Sequence, residues 1–208
     1  MGAPPLKPIQ RIRLDEYHMK RSEIQAAIRR ASAAFDRNGW FLPPNAQWDV
    51  TDLGLGRFPQ VGLVLVNLAE EPEYCEKLMY SMKDQVTPMH THRMKKEDII
   101  CRNGSLALEV WRDDPKRCAK GDPTVLKRNG VEFIAMSGLP FVISAGERVT
   151  IVPRVYHSFW GKDGDCVIGE VSTANDDAND NYFVNPEIGR FPEIVEDEPA
   201  LLRLISES

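Results

Sequence analysis

A chain of 208 residues, 42% of them hydrophobic, can bury a sizeable core as one domain without disulfides or structural metals. Its net charge of -5 leaves no broad basic surface for a phosphodiester backbone, so nucleic acid is not an expected partner. The apolar runs are far shorter than the roughly 20 residues of a membrane-spanning helix, and the N-terminus lacks the apolar region of a secretory signal, so we expect no membrane partner and a cytoplasmic location.

The first predicted element is an amphipathic helix. Ser22 and Gln25 match a capping box, and apolar residues follow at helical spacing up to Asn38-Gly39. An isolated helix of this length is marginal in water, so its apolar stripe must cover either the outside of the domain that follows or a partner subunit. The second alternative makes a homodimer the expected assembly.

The rest of the chain has the pattern of an all-β domain. Short β-rich runs at 62–68, 74–82, 106–111, 141–143, 149–152 and 166–172 are separated by frequent Gly and Pro. We therefore expect one domain over 1–208, with an N-terminal arm and helix at 1–45 and a barrel with a C-terminal tail at about 46–208. The acidic residues of that tail are expected to form a solvated face. The four cysteines form no CxxC pair and are predicted to be reduced and buried.

Two histidines spaced by one residue carry the clearest chemical signal. On an extended strand, His90 and His92 point to the same face, which is a chelating arrangement. Glu97 and Gly104 complete the pattern His-x-His-x4-Glu-x6-Gly. A lone His-x-His pair means little, but this extended spacing is much more specific.

A second block, from Gly146 to His157, supplies a strand, a proline turn and a third histidine. Together the two blocks resemble the paired motifs of the cupin superfamily, which implies a small jelly-roll β-barrel with a metal held by three histidines and one glutamate. The block departs from the usual cupin pattern because Arg154 or Val155 stands where a glycine often follows the proline. Three imidazoles and a carboxylate leave two positions open on an octahedral ion and suit Mn²⁺, Fe²⁺, Co²⁺, Ni²⁺ or Zn²⁺.

A closer resemblance lies in the segments Glu-Lys-Leu-Met at 76–79, Thr-Pro-Met-His-Thr-His at 87–92, Lys-Glu-Asp-Ile-Ile-Cys-Arg-Asn-Gly at 96–104 and Gly-Arg-Phe-Pro-Glu-Ile-Val-Glu-Asp-Glu-Pro at 189–199. These are similar to the D-lyxose isomerase family, whose members interconvert D-lyxose and D-xylulose, often also D-mannose and D-fructose, with manganese favoured. The resemblance implies that the metal ligands are His90, His92, Glu97 and His157. It also implies that Lys77 and Glu193 are the acid/base pair, although Lys77 could equally be a solvated strand lysine and Glu193 one more charge of the tail.

The expected chemistry is a proton transfer through a cis-enediol, because only one metal site is visible in the sequence and a hydride shift uses two. If Glu193 is not the base, Glu109 and Glu170 are the other carboxylates on predicted strands. Three other functions remain open: a cupin dioxygenase using Fe²⁺ and O₂, a non-catalytic sugar-binding cupin, and an isomerase of phosphosugars.

Overall fold

A computed structural model describes residues 18–173, 176, 179–189 and 193–207. The helix α1 spans Arg21–Arg37, and a short 3₁₀ helix spans Ile205–Glu207. Between them lie the strands β1 (Gln47–Thr51), β2 (Leu63–Glu70), β3 (Tyr74–Ser81), β4 (Thr87–Thr91), β5 (Glu97–Asn103), β6 (Ser105–Trp111), β7 (Pro123–Arg128), β8 (Val131–Met136), β9 (Phe141–Ser144), β10 (Arg148–Ile151), β11 (Tyr156–Gly161), β12 (Cys166–Thr173) and β13 (Tyr182–Phe183). The predicted all-β class with an N-terminal helix is confirmed. In the described ranges, no helix has the length and apolar character needed to cross a membrane.

The strands form two antiparallel sheets. The larger has the order β1-β2-β3-β12-β5-β10-β7-β8, and the smaller has the order β13-β4-β11-β6-β9. Successive side chains of a strand point to opposite faces of its sheet. Leu65 and Met79 of the larger sheet therefore pack against Leu108 and Phe159 of the smaller one, and this core fills one part of the barrel between the sheets.

The helix packs on the outer face of the larger sheet. Its buried side chains, Ile24, Ala27, Ile28, Ala31, Ala34 and Phe35, recur at the spacing of one helical face. They join Trp48, Val64 and Leu78 in a second core, in which the Phe35 and Trp48 rings stack at 6.1 Å. The apolar stripe thus covers the barrel, the first of the two alternatives raised by the sequence.

The residues predicted to cap the start of the helix are wrong. The helix begins at Arg21, and the Glu23 carboxylate accepts a hydrogen bond from the Lys20 backbone N–H at 2.9 Å. The Ser22 hydroxyl instead donates to Asp197 at 2.7 Å, and the side-chain Oε1 of Gln25 accepts from the Leu201 N–H at 2.9 Å. A local pattern was misread because the true partners lie about 175 residues away in the chain.

Glu193, Glu196 and Asp197 of the tail are exposed, as predicted, but the tail also pairs with a buried arginine of α1. Arg21 is only 1% exposed, and its guanidinium donates to Glu196 at 3.0 Å and to Glu207 at 2.9 Å. Burial of an arginine requires such paired acceptors. Leu204, 2% exposed, adds an apolar contact in the helix core. Residues 193–207 therefore hold the start of α1 to the barrel.

The hairpin of β7 and β8 was not predicted. Its turn is Asn129-Gly130, with both residues at positive φ (52° and 83°), as a two-residue hairpin turn requires. The Asn-Gly pair was the signal available in the sequence. The division at residue 45 and the single-domain interpretation stay predictions, and residues 1–17 lie outside the described part of the chain.

Candidate metal centre

Three strands bring the predicted ligands to one end of the barrel. His90 lies on β4 and is paired in register with His157 on β11, while Glu97 is the first residue of β5. His92 follows β4 directly and points to the same side as His90. The rings of His90 and His157 are 4.2 Å apart, and those of His90 and His92 are 5.1 Å apart.

These four side chains form a compact cluster whose potential ligand atoms all lie within 4.8 Å of one another. His157 Nε2 is 2.8 Å from Glu97 Oε1, and His92 Nε2 is 3.6 Å from Glu97 Oε2. All four residues are buried. The structure therefore brings together every residue of the predicted ligand set.

Each imidazole is oriented by a backbone carbonyl. His90 Nδ1 lies 2.7 Å from Pro88 O, His92 Nδ1 lies 2.7 Å from Asp180 O, and His157 Nδ1 lies 3.3 Å from Val155 O. A carbonyl can only accept, so Nδ1 carries the proton and the Nε2 lone pair is left for the cluster.

Electrostatics keep the imidazoles of His90 and His92 neutral. Burial, reinforced by the other two histidines, lowers the pKa of His90 well below 6.5. Burial also lowers the pKa of His92 to about 4, despite the opposing effect of Glu97. Neutral imidazole is the form that ligates a metal.

The donors fit a divalent cation. His92 Nε2, His157 Nε2 and Glu97 Oε1 are buried and have no hydrogen-bond partner among the described residues. With the proton on Nδ1, His157 Nε2 and Glu97 Oε1 are both acceptors, so their 2.8 Å approach is not a hydrogen bond. A buried polar atom without a partner costs about 1–3 kcal/mol, and a cation shared by these atoms would remove that cost. Three nitrogens and one oxygen are donors that first-row divalent ions accept.

A buried lysine that the sequence did not single out links the cluster to a second carboxylate. Lys95 Nζ is 2.9 Å from Glu97 Oε2 and 2.9 Å from Glu170 Oε1. Burial lowers the pKa of Lys95, but Glu170 and Glu97 outweigh it and raise the pKa above 10.5. Burial raises the pKa of Glu97, whereas Lys95 and His157 bring it well below 4.5. Lys95 and Glu97 are therefore both charged at neutral pH.

The cluster opens into a cavity of about 560 Å³, part of it open to solvent. Lys77 and Glu170 line it, and Lys77 Nζ is 3.7 Å from Glu170 Oε1. Lys77 is 4% exposed, so it is not a solvated strand lysine. Asp49 and Asn181 add polar groups, and Phe183 adds an apolar wall. The mixed polar and apolar lining suits a small polar molecule.

Glu193 is not part of this cavity. Its side chain is 91% exposed, and His18 Nε2 lies 4.0 Å from its Oε2. The reason is that the tail lies along the helix, on the outside of the larger sheet. Glu109 does not line the cavity either and accepts a hydrogen bond from the Trp111 indole at 2.7 Å. Of the carboxylates considered from the sequence, Glu170 is the one that the structure places beside the ligand cluster.

The departure from the cupin glycine has a structural consequence at Arg154. This residue adopts φ = +72°, a left-handed conformation that favours glycine, and its N–H donates to His92 O at 2.7 Å. The β10–β11 turn thus contacts the backbone of a candidate ligand and leads to His157.

The amino-acid sequence is similar to those of known sugar isomerases. The family model of D-lyxose isomerase matches residues 45–208. A D-lyxose/D-mannose isomerase of Escherichia coli O157:H7 is 36% identical over 91% of this chain and 98% of its own. One of Serratia proteamaculans is 39% identical over 73% of this chain and 71% of its own.

Solved structures show the same fold at low sequence identity. The L-ribose isomerase of Geodermatophilus obscurus superposes with a TM-score of 0.65 at 17% identity, covering 86% of this chain and 99% of its own. The L-ribose isomerase of Acinetobacter sp. DL28, solved in complex with L-ribose, gives a TM-score of 0.63 at 16% identity and covers 86% of this chain and 99% of its own. The predicted cupin-type fold is therefore confirmed.

Proposed function

The chain belongs to the D-lyxose isomerase family, and on that premise we propose that this sugar isomerase interconverts D-lyxose and D-xylulose, and also D-mannose and D-fructose. The observation that carries the proposal is the cluster of three imidazoles and Glu97, which faces a cavity that also holds a buried carboxylate. The relatives named above support the choice of substrates.

We propose that His90, His92, Glu97 and His157 hold one divalent metal, Mn²⁺ first, with Co²⁺, Ni²⁺, Fe²⁺ or Zn²⁺ able to replace it. When bound, the metal would supply Lewis-acid polarisation of the substrate carbonyl, worth several kcal/mol. The unpartnered nitrogen and oxygen atoms of the cluster support this assignment.

Glu170 is the proposed base. Its carboxylate would take the proton from C2 of the aldose and return it to C1 through a cis-enediol, while the hydroxyl proton of O2 passes to O1. Lys95 fixes Glu170 Oε1 at 2.9 Å, and Lys77 lies 3.7 Å from the same oxygen, on the cavity wall, where its ammonium would donate to a substrate oxygen. A positioned general base contributes about 10² to 10⁴-fold to the rate. Glu193, the base implied by the resemblance, would have to leave its exposed position to take this role.

The substrate proposal is tested by incubating the Mn²⁺-loaded protein with a panel of aldoses and measuring ketose. We expect turnover of D-lyxose first and D-mannose second. Ketose formation from phosphosugars alone, or O₂ consumption by the Fe²⁺-loaded protein, would assign the site to one of the alternative functions.

The proton-transfer proposal is tested by two matched variants. Glu170→Gln should retain its metal content and lose at least about 10²-fold in kcat, whereas Glu193→Gln should retain both. The opposite pattern would make Glu193 the base. Reaction in D₂O should leave solvent deuterium in the product, because a carboxylate can exchange its proton with water, and complete absence of exchange would favour hydride transfer.

We also propose a cytoplasmic homodimer. All four cysteines are free and buried, which suits a reducing compartment. Because α1 is covered by its own barrel, a dimer would need another surface, and Val125 and Ile134 expose 59% and 63% of their side chains side by side on β7 and β8. Sedimentation equilibrium of the wild type and of Ile134→Lys tests this assignment, and a monomeric wild type would refute it.

A further inference from the structure

We infer that Asp180 is a positioning residue of the metal centre, which sets both the ring orientation of His92 and the backbone that carries Lys95 and Glu97. The inference rests on the proposed metal site and concerns a residue that does not touch the substrate or the metal.

The carboxylate of Asp180 organises the loop between the second histidine and β5. It accepts hydrogen bonds from three consecutive backbone N–H groups: Arg93 at 2.8 Å, Met94 at 3.1 and 3.2 Å, and Lys95 at 2.9 Å. Hydrogen bonds to an ionised acceptor are worth about twice those between neutral groups. A single side chain therefore fixes the turn that directs Lys95 and Glu97 into the cavity.

The main-chain carbonyl of the same residue accepts from His92 Nδ1 at 2.7 Å. That contact selects the Nδ1–H tautomer and directs Nε2 towards Glu97, 3.6 Å away. His90 and His157 take their corresponding contacts from Pro88 and Val155, each two residues away in the chain. His92 alone depends on a residue 88 positions away in the chain.

Asp180 is held in place between these contacts. It is 8% exposed, and its N–H donates to Asp176 O at 2.8 Å. The residues after it continue into β13, where Tyr182 and Phe183 pair with Thr91 and His90 of β4. The carboxylate of Asp180 thus binds the backbone of residues 93–95, and its carbonyl binds the His92 ring. Loss of the carboxylate should therefore displace the carbonyl and with it the ring.

The test compares Asp180→Asn with Glu187→Gln, which changes an exposed carboxylate seven residues later in the same segment. Asparagine preserves size but removes the charge and leaves one oxygen for three N–H donors. We expect Asp180→Asn to bind Mn²⁺ about 10 to 100-fold more weakly than the wild type, and Glu187→Gln to bind it unchanged. Affinity is measured well below the melting temperature of each variant, so that unfolding does not contribute.

Two further measurements separate positioning from general destabilisation. The ¹⁵N spectrum of the histidine rings in metal-free protein should show a change for His92 and none for His157 in Asp180→Asn. The visible spectrum of the Co²⁺-loaded variant should differ from that of the wild type.

Wild-type affinity in Asp180→Asn, or an unchanged His92 ring signal, would overturn the inference. A wild-type protein that binds no divalent metal would instead overturn the proposed function, and the ring spectra of metal-free protein would still decide whether Asp180 orients His92.

Discussion

Lys95 is the cation between two buried carboxylates, and its replacement by methionine should destabilise the metal-free protein strongly. Methionine retains the length of the stem and removes the charge, leaving Glu97 and Glu170 buried without the ammonium that lies 2.9 Å from each. Removing one partner of a buried ionic group costs about 3–5 kcal/mol. At about 2–4 °C per kcal/mol for a chain of this size, the melting temperature should fall by about 6–20 °C.

The assay is thermal unfolding followed by circular dichroism at neutral pH in the presence of a chelator. The control is Lys96→Met, which changes the neighbouring, exposed lysine and should remain within about 0.5 kcal/mol of the wild type.

The loss of melting temperature caused by Lys95→Met should become smaller towards acidic pH. Without the ammonium, the folded-state pKa of Glu97 rises above its unfolded value, so protonation stabilises the folded variant as the pH falls through that raised pKa. A melting temperature within about 2 °C of the wild type at neutral pH would show that this lysine does not compensate the two carboxylates.

Three other changes have defined outcomes. His157→Ala should lose most of its metal in elemental analysis while His18→Ala retains it, and equal metal content in both would remove His157 from the ligand set. Arg154→Gly should relieve the left-handed backbone and stabilise the fold by about 1 kcal/mol, seen as a rise of about 2–4 °C in melting temperature; a fall would show that the side chain compensates the strain. Hydrogen bonding to Arg21 holds the pKa of Glu207 below 4.5, so this stabilisation is present above the unfolded pKa and is lost as the pH falls through the folded one. The free energy of unfolding should accordingly fall less steeply with decreasing pH in Arg21→Met than in the wild type. Identical slopes in the two proteins would contradict the pairing.

Two of the proposed ligands could be predicted because their spacing follows from strand geometry. His90 and His92 are close in the chain, and alternation along an extended strand places both on one face. Glu97 and His157 were instead assigned from the resemblance to the paired cupin motifs. The contribution of Glu170 could not be fixed in the same way, because the sequence offered three carboxylates and only the sheet order, with β12 beside β5, places one of them near Glu97.

Residues whose role depends on distant partners were missed. Nothing local distinguishes Lys95 from the exposed Lys96 that follows it, since both lie in a charged run. Asp180 lies in an Asn/Asp-rich stretch that is typical of a solvated loop, yet it contacts residues 85–88 positions away. The start of α1 was misread for the same reason.

The pairing of α1 with the tail has a consequence for the order of synthesis. Arg21 is translated about 175 residues before Glu196, and the second carboxylate that it needs, Glu207, comes later still. At about 5–20 residues per second, that gap lasts roughly 10–35 s. Throughout this interval the nascent helix carries an unpaired arginine on the face that will be buried, so it should dock only after the tail has left the ribosome. The helix α1 is thus synthesised early but docks on the barrel late. Stalled or truncated chains that end before residue 193 should expose the outer face of β1–β3 to proteases and chaperones.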